Sequence, residues 1–115
     1  MKMIWGWSGK EATMEVIKDC VGEGWSEILD DLVRDLETLG WDGTVYQVKE
    51  KFGGLRFYIG DGGDEIWERI RKAEEESIKT CEDCGADGKR RGGSWIRTLC
   101  EECQQKAQTG GETWG

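Results

Sequence analysis

Cys81-Glu82-Asp83-Cys84 and Cys100-Glu101-Glu102-Cys103, with fifteen residues between them, decide how the last third of this chain folds. Each C-x2-C pair brings two thiolates onto one ion across a tight turn, and two pairs complete a tetrahedral shell at the spacing of structural zinc. The competing reading is two disulfides in a secreted protein. The opening residues, Met1-Lys2-Met3-Ile4-Trp5-Gly6-Trp7, contain no apolar run of the length a signal peptide needs. One zinc ion per chain, held by Cys81, Cys84, Cys100 and Cys103 in a reducing compartment, is therefore expected.

The residues between the pairs extend the motif. Cys84-Gly85 reads as a knuckle, Lys89–Arg91 and Ser94–Leu99 as a hairpin turning at Gly92-Gly93, and Glu101 to about Gln108 as a short helix carrying the last ligands. Knuckle, hairpin and ligand-bearing helix follow one another in treble-clef order. The hairpin holds Lys89, Arg90, Arg91 and Arg97, with no acid between Gly88 and Leu99.

Four protein thiolates leave no coordination position for water, so such a zinc supports folding and not hydrolysis. The chain has no histidine, which removes the usual general base at neutral pH. Cys20, the one remaining cysteine, has no histidine to activate it and reads as a half-buried structural thiol. These features point away from an enzyme.

At 115 residues the chain fits one α+β unit, and a metal is a common remedy for a core of that size. The expected organisation is a helix–hairpin–helix core over 1–80, the zinc motif packed on it over 81–108, and a flexible tail over 109–115, with Trp114 as the one residue that could dock. A net charge of −8 argues against general nucleic-acid binding but leaves room for a local anion site. No run is apolar and long enough for a membrane span.

Upstream of the cysteines, Asp64 opens a helix from Glu65 to about Lys79, with Ile66, Ile70, Ala73 and Ser77 on its inner stripe and Trp67 beside them. Glu74-Glu75-Glu76 reads as solvated. Ahead of that helix, Thr44–Phe52 and Leu55–Gly60 alternate as two strands around Gly53-Gly54. A turn at the two glycines pairs Phe52 with Leu55, Lys51 with Arg56, Lys49 with Tyr58 and Val48 with Ile59. One face then gathers Tyr46, Val48, Phe52, Leu55, Phe57 and Ile59, with Glu50 as the misfit. The other gathers Gln47, Lys49, Lys51, Arg56 and Tyr58.

Nearer the start, Ile28, Leu29, Leu32, Leu36 and Leu39 recur at helical spacing from Trp25, and Gly40 fits the position just past the helix end. Glu27, Asp30, Asp31, Arg34, Asp35 and Glu37 form its solvated face. Ser8-Gly9-Lys10-Glu11 matches a capping box and predicts a helix from about Gly9 to Cys20, stopped by Gly22. The stretch Val21-Gly22-Glu23-Gly24-Trp25 lacks the third glycine and the preceding strand of a phosphate-binding fingerprint, so that reading is rejected.

Four segments together resemble a group of small zinc-binding proteins of tailed bacteriophages and prophages. They are Val48-Lys49-Glu50-Lys51-Phe52-Gly53-Gly54-Leu55-Arg56-Phe57-Tyr58, Ala73-Glu74-Glu75-Glu76-Ser77, Thr80-Cys81-Glu82-Asp83-Cys84-Gly85 and Trp95-Ile96-Arg97-Thr98-Leu99-Cys100. The likeness runs from about Trp25 to Cys103 and is most specific from Lys51 to Tyr58. Members of that group often close the metal motif with histidine where this chain has Cys103, a change that leaves the donor set complete. The resemblance implies a phage protein made in the host bacterial cytoplasm, and by analogy raises counter-defence as a role. It implies no particular activity.

Three functions compete. The first is a non-enzymatic sponge that sequesters an anionic nucleotide-like ligand on the face of Lys49, Lys51, Arg56 and Tyr58, extended by Trp95 and Arg97. Cations pair with phosphates and aromatic rings stack on a base. The second is an acidic inhibitor or nucleic-acid mimic that binds a host defence protein. The third is a small zinc module touching nucleic acid through Lys89, Arg90, Arg91 and Arg97. The sequence leaves self-association open.

Overall fold

The computed structural model describes residues 2–92 and 95–112. In chain order they form β1 (Ile4–Trp5), α1 (Met14–Asp19), a 3-10 turn (Glu23–Trp25), α2 (Ser26–Thr38), β2 (Thr44–Lys51), β3 (Gly54–Ile59), α3 (Asp64–Ser77), β4 (Lys89–Arg91), β5 (Arg97–Leu99) and α4 (Glu101–Glu112). The class is α+β, with helices on a small sheet and a clustered-cysteine motif at the C-terminal end. The main sheet has the order β1-β2-β3, β1 joining β2 in parallel and β2 joining β3 antiparallel; β4 and β5 make a separate antiparallel pair.

Side-chain periodicity explains the helices. In α2, Ile28, Leu29, Leu32, Val33 and Leu36 are buried in the same core cluster as Val45, Val48, Leu55, Phe57 and Ile59 of the sheet, and the helix packs along α3. Gly40, at φ +91°, ends α2 in a full Schellman arrangement: Gly40 N–H donates to Glu37 O and Trp41 N–H to Leu36 O. That turn drops Trp41 into the core, where its ring meets Phe57 edge-on at 6.0 Å. In α3 the buried residues are Ile66, Ile70, Ala73 and Ser77, as the pattern predicts. The acidic face of α2 is solvated and partly paired, Asp30 with Lys18, Asp31 with Arg34 and Asp35 with Arg69, each at 2.8 Å.

Glu74 corrects one expectation. Its carboxylate accepts from Phe57 N–H, while Ser77 Oγ accepts from Leu55 N–H at 2.9 Å. Two side chains of α3 thus satisfy the free edge of β3, which an exposed strand would otherwise offer to a partner.

The predicted helix from Gly9 is not formed. Ser8 Oγ accepts from Lys10 N–H two residues on, not from the third residue as a cap would, and Glu11 bridges to Ile4. The chain folds back on β1, and the helix begins only at Met14, capped by Thr13, whose hydroxyl accepts from Val16 N–H at 3.2 Å. β1 itself has no counterpart in the sequence reading.

The hairpin is real, but its turn lies one residue earlier. Lys51 pairs with Gly54, Lys49 with Arg56 and Val48 with Phe57, so Phe52 and Gly53 are the two turn residues, at φ +53° and +79°. Both central residues at positive φ is the type I′ requirement. Gly54 does not need it. The shift changes each partner by two positions and so preserves the sorting of faces between Gln47 and Ile59. Two residues move. Phe52 is 59 % exposed at the tip, and a bulge between Val45 and Gln47 buries Val45 and turns Tyr46 outward.

α4 continues to Glu112, beyond the predicted end near Gln108. The rest of the expected tail, Trp114 included, lies outside the described residues, as do Gly93 and Ser94 of the predicted β4-β5 turn.

Candidate metal centre and basic sheet face

Local backbone geometry gathers the cysteines. Cys81 leaves α3 through the turn at Ile78–Thr80, with Trp25 Nε1 donating to Thr80 O at 2.9 Å. Gly85, at φ +85°, closes the knuckle with its N–H on Cys81 O at 3.0 Å. β5 delivers Cys100 to the start of α4, and Cys103 follows one turn later, its N–H directed at Cys100 Sγ. All four sulfurs lie within 4.8 Å of one another, Cys84 and Cys100 at 3.6 Å. Tetrahedral coordination at a zinc–sulfur distance of about 2.3 Å puts sulfurs roughly 3.8 Å apart. The donor set and its spacing fit a metal ion, and all five cysteines of the chain are free of disulfides.

The electrostatics fit the same use. Burial raises the Cys81 thiol, yet backbone donors at Cys100, Cys84 and Asp83 outweigh it and bring the thiol down to about 7. Cys103 is pushed well above the ordinary thiol range, first by the Cys100 sulfur and then by burial. Crowded thiols resist ionising one by one, and a cation at their centre removes that conflict. Cys20 lies apart on the surface; its sulfur contacts Val16 O at 3.3 Å, and burial followed by the Asp19 charge raises its thiol.

The metal motif is seated by glycines that the sequence reading left without a role. A Cβ on Gly24 would fall 1.9 Å from Cys81 O, and one on Gly22 would fall 2.3 Å from Glu82 O. Gly24 N–H donates to Glu82 O at 2.7 Å. Val21-Gly22-Glu23-Gly24-Trp25 is therefore a cradle for the knuckle's backbone, and its two glycines were the signal.

Glu82, adjacent to a ligand, is itself buried. Its carboxylate accepts from Thr98 N–H at 2.7 Å, and Arg97 ion-pairs with Asp83 at 2.6 Å and reaches Glu82 at 4.0 Å. Arg97 is thus occupied by two carboxylates of its own motif. Trp95 is 75 % exposed on the β4-β5 hairpin. It lines a 240 Å³ cleft with Arg91, Gly92, Arg97, Leu99, Gln104 and Ala107, none of them a residue of the main sheet.

Lys49, Lys51, Arg56 and Tyr58 share the outer face of the β2-β3 hairpin. Among the described residues, none of the three cations is in an ion pair. Lys49 Nζ lies 5.9 Å from the Tyr58 ring centroid and Lys51 Nζ 5.7 Å from that of Phe52, while Arg56 Nη1 donates to Leu55 O. Glu50 points to the opposite side and accepts from Gly53 N–H at 2.7 Å, so between Gln47 and Tyr58 the outward strand positions hold no carboxylate. Tyr46 joins this face, with its ring over Gly6 and Gly60; a Cβ on either would come within 2.4 and 2.7 Å of that ring.

Among the described residues, no helix is long and apolar enough to cross a membrane. Comparison of the chain with models of known protein families, with curated proteins and with solved structures returns no match.

Proposed function

We propose that this is a non-enzymatic phage accessory protein that binds an anionic nucleotide-like ligand on the outer face of the β2-β3 hairpin, over a fold held by one structural Zn2+. One observation carries the ligand reading: Lys49, Lys51 and Arg56 stand without carboxylate partners on a surface that also presents Tyr58, in a chain of net charge −8. Physiological salt screens distant charges beyond about 8 Å, so these local cations govern an approaching phosphate. The phage setting and a counter-defence role rest on the resemblance of the Lys51–Tyr58 and cysteine segments. The four-sulfur donor set favours zinc over harder cations, which prefer oxygen.

The competing zinc-module reading draws on Lys89, Arg90, Arg91 and Arg97. Of these, Arg97 is ion-paired with Asp83, whereas among the described residues Lys49, Lys51 and Arg56 are in no ion pair, which favours the main sheet. The test is calorimetry with a panel of nucleotides against the parent and Arg56→Ala. Loss of about 1.5–3 kcal/mol with an unchanged fold is expected for a charged hydrogen bond. Equal binding by both proteins refutes the assignment.

A further inference from the structure

We infer that the outer sheet face is a track for single-stranded nucleic acid, several nucleotides long, with Tyr46 and Tyr58 as stacking stations. The inference rests on the anion-binding reading of this face and specifies its ligand. Two observations carry it.

The first is shape. Of five surface clefts of 240 to 480 Å³ among the described residues, none is lined by Lys49, Lys51, Arg56 or Tyr58. Small-molecule sites are concave and enclose most of their ligand. This face is open, so it offers a lone nucleotide little enclosure, whereas a strand gains contacts by lying along it.

The second is the arrangement. From Phe52 at the tip to Tyr46 at the bulge the strand covers about 20 Å at 3.3 Å per residue. Along that line the outward groups run Phe52, Lys51, the Lys49–Arg56 pair, Tyr58 and Tyr46, so that three cations lie between an aromatic ring at the tip and two at the bulge. Rings that accept successive bases, with cations for the phosphates between them, are the parts of a sequence-tolerant single-strand site. Tyr46 is built into this row. Its ring needs bare glycine at Gly6 and Gly60, yet it remains 45 % exposed, and Trp7 beyond it is 69 % exposed.

The test uses calorimetry on the full zinc-loaded chain, with thymidine monophosphate, oligothymidylates of increasing length and a four-unit abasic strand as probes. Affinity should rise at least tenfold from the monophosphate to the four-residue strand. The abasic strand should bind at least tenfold more weakly than its thymidylate counterpart. Tyr46→Leu, and independently Tyr58→Leu should one of them fold poorly, should lower strand affinity several-fold. For three phosphate contacts the logarithm of affinity should fall with that of salt at a slope of about −2, at roughly −0.7 per phosphate on single strands. A monophosphate bound as tightly as the strand overturns the track and leaves the anion site standing. An abasic strand bound as well as thymidylate overturns the stacking role. Absence of binding by every probe removes the anion site too.

Discussion

The Thr98 hydroxyl donates to the Gly53 carbonyl, joining the strand that leads into the second cysteine pair to the turn of the basic hairpin. Thr98 is fully buried, and its backbone is held on both sides by Glu82, which donates to Thr98 O at 2.9 Å and accepts from Thr98 N–H. The metal motif therefore braces the turn that positions Lys51 and Arg56. Thr98→Val keeps the shape and leaves the Gly53 carbonyl without this donor. A cost of about 1–3 kcal/mol in urea unfolding is expected, the penalty of an unmet buried acceptor; an unchanged midpoint would show that the brace is not energetic.

Removal of the metal should propagate along the same route. Zinc in small metal-dependent domains contributes on the order of 10 kcal/mol. Cys81→Ser or chelation should melt β4, β5 and α4 and loosen the Phe52-Gly53 turn, read as lost amide-exchange protection. Metal binding requires thiolates, so acid opposes it. Because Cys81 ionises at about 7 while Cys84 and Cys103 hold their protons more tightly, affinity should fall steeply as pH drops below neutrality. Metal content that is zero at neutral pH, or a Cys81→Ser protein with parental melting, contradicts the structural role.

Gly24→Ala tests the cradle. Its new Cβ would collide with the Cys81 carbonyl, so the knuckle must separate from the 3-10 turn and the Gly24–Glu82 hydrogen bond must break. Destabilisation of about 2 kcal/mol or more is expected, within the range of mutations that force backbone apart. Gly63→Ala, which meets nothing within 4 Å, is the steric control and should cost only the loss of glycine at the α3 N-cap, about 1 kcal/mol or less.

Phe52 holds a positive φ that bulky residues rarely adopt, and it is mostly exposed, so packing does not repay the strain. Asparagine suits the first position of a type I′ turn. Phe52→Asn should raise stability by about 1 kcal/mol while weakening binding on the sheet face, a divergence that a purely structural residue would not produce. Loss of stability in this variant would mean that the ring packs in a way its exposure hides.

Much of the fold was legible because period and spacing are local properties. Ile66, Ile70, Ala73 and Ser77 announce the inner face of α3, Gly40 the end of α2, and the cysteine spacing the metal centre. The rest depended on tertiary partners. Strict alternation put Tyr46 in the core, and only the bulge opposite Ile59, with Gly6 and Gly60 beneath the ring, turns it outward. Ser8 and Glu11 satisfied a capping pattern, but pairing of Glu11 with Ile4 offered that backbone other hydrogen bonds. Gly53-Gly54 marked the hairpin correctly and its turn one residue late, because positive φ at Phe52 violates propensity. Of the proposed ligand residues, Lys49, Lys51, Arg56 and Tyr58 come together on one face. Trp95 and Arg97 sit on the β4-β5 hairpin, and the Asp83 carboxylate that occupies Arg97 lies fourteen residues away in sequence.

The most direct test is a two-dimensional NMR titration of the isotopically labelled protein at physiological salt with a four-residue oligothymidylate, observing backbone amides and the Arg56 Nε–H. The expected result is a set of shifts concentrated between Tyr46 and Tyr58, with the Arg56 signal moving and the Lys89–Arg91 amides still. No shift at saturating ligand, or shifts confined to the β4-β5 hairpin, would contradict the assignment of the main sheet face as the binding site.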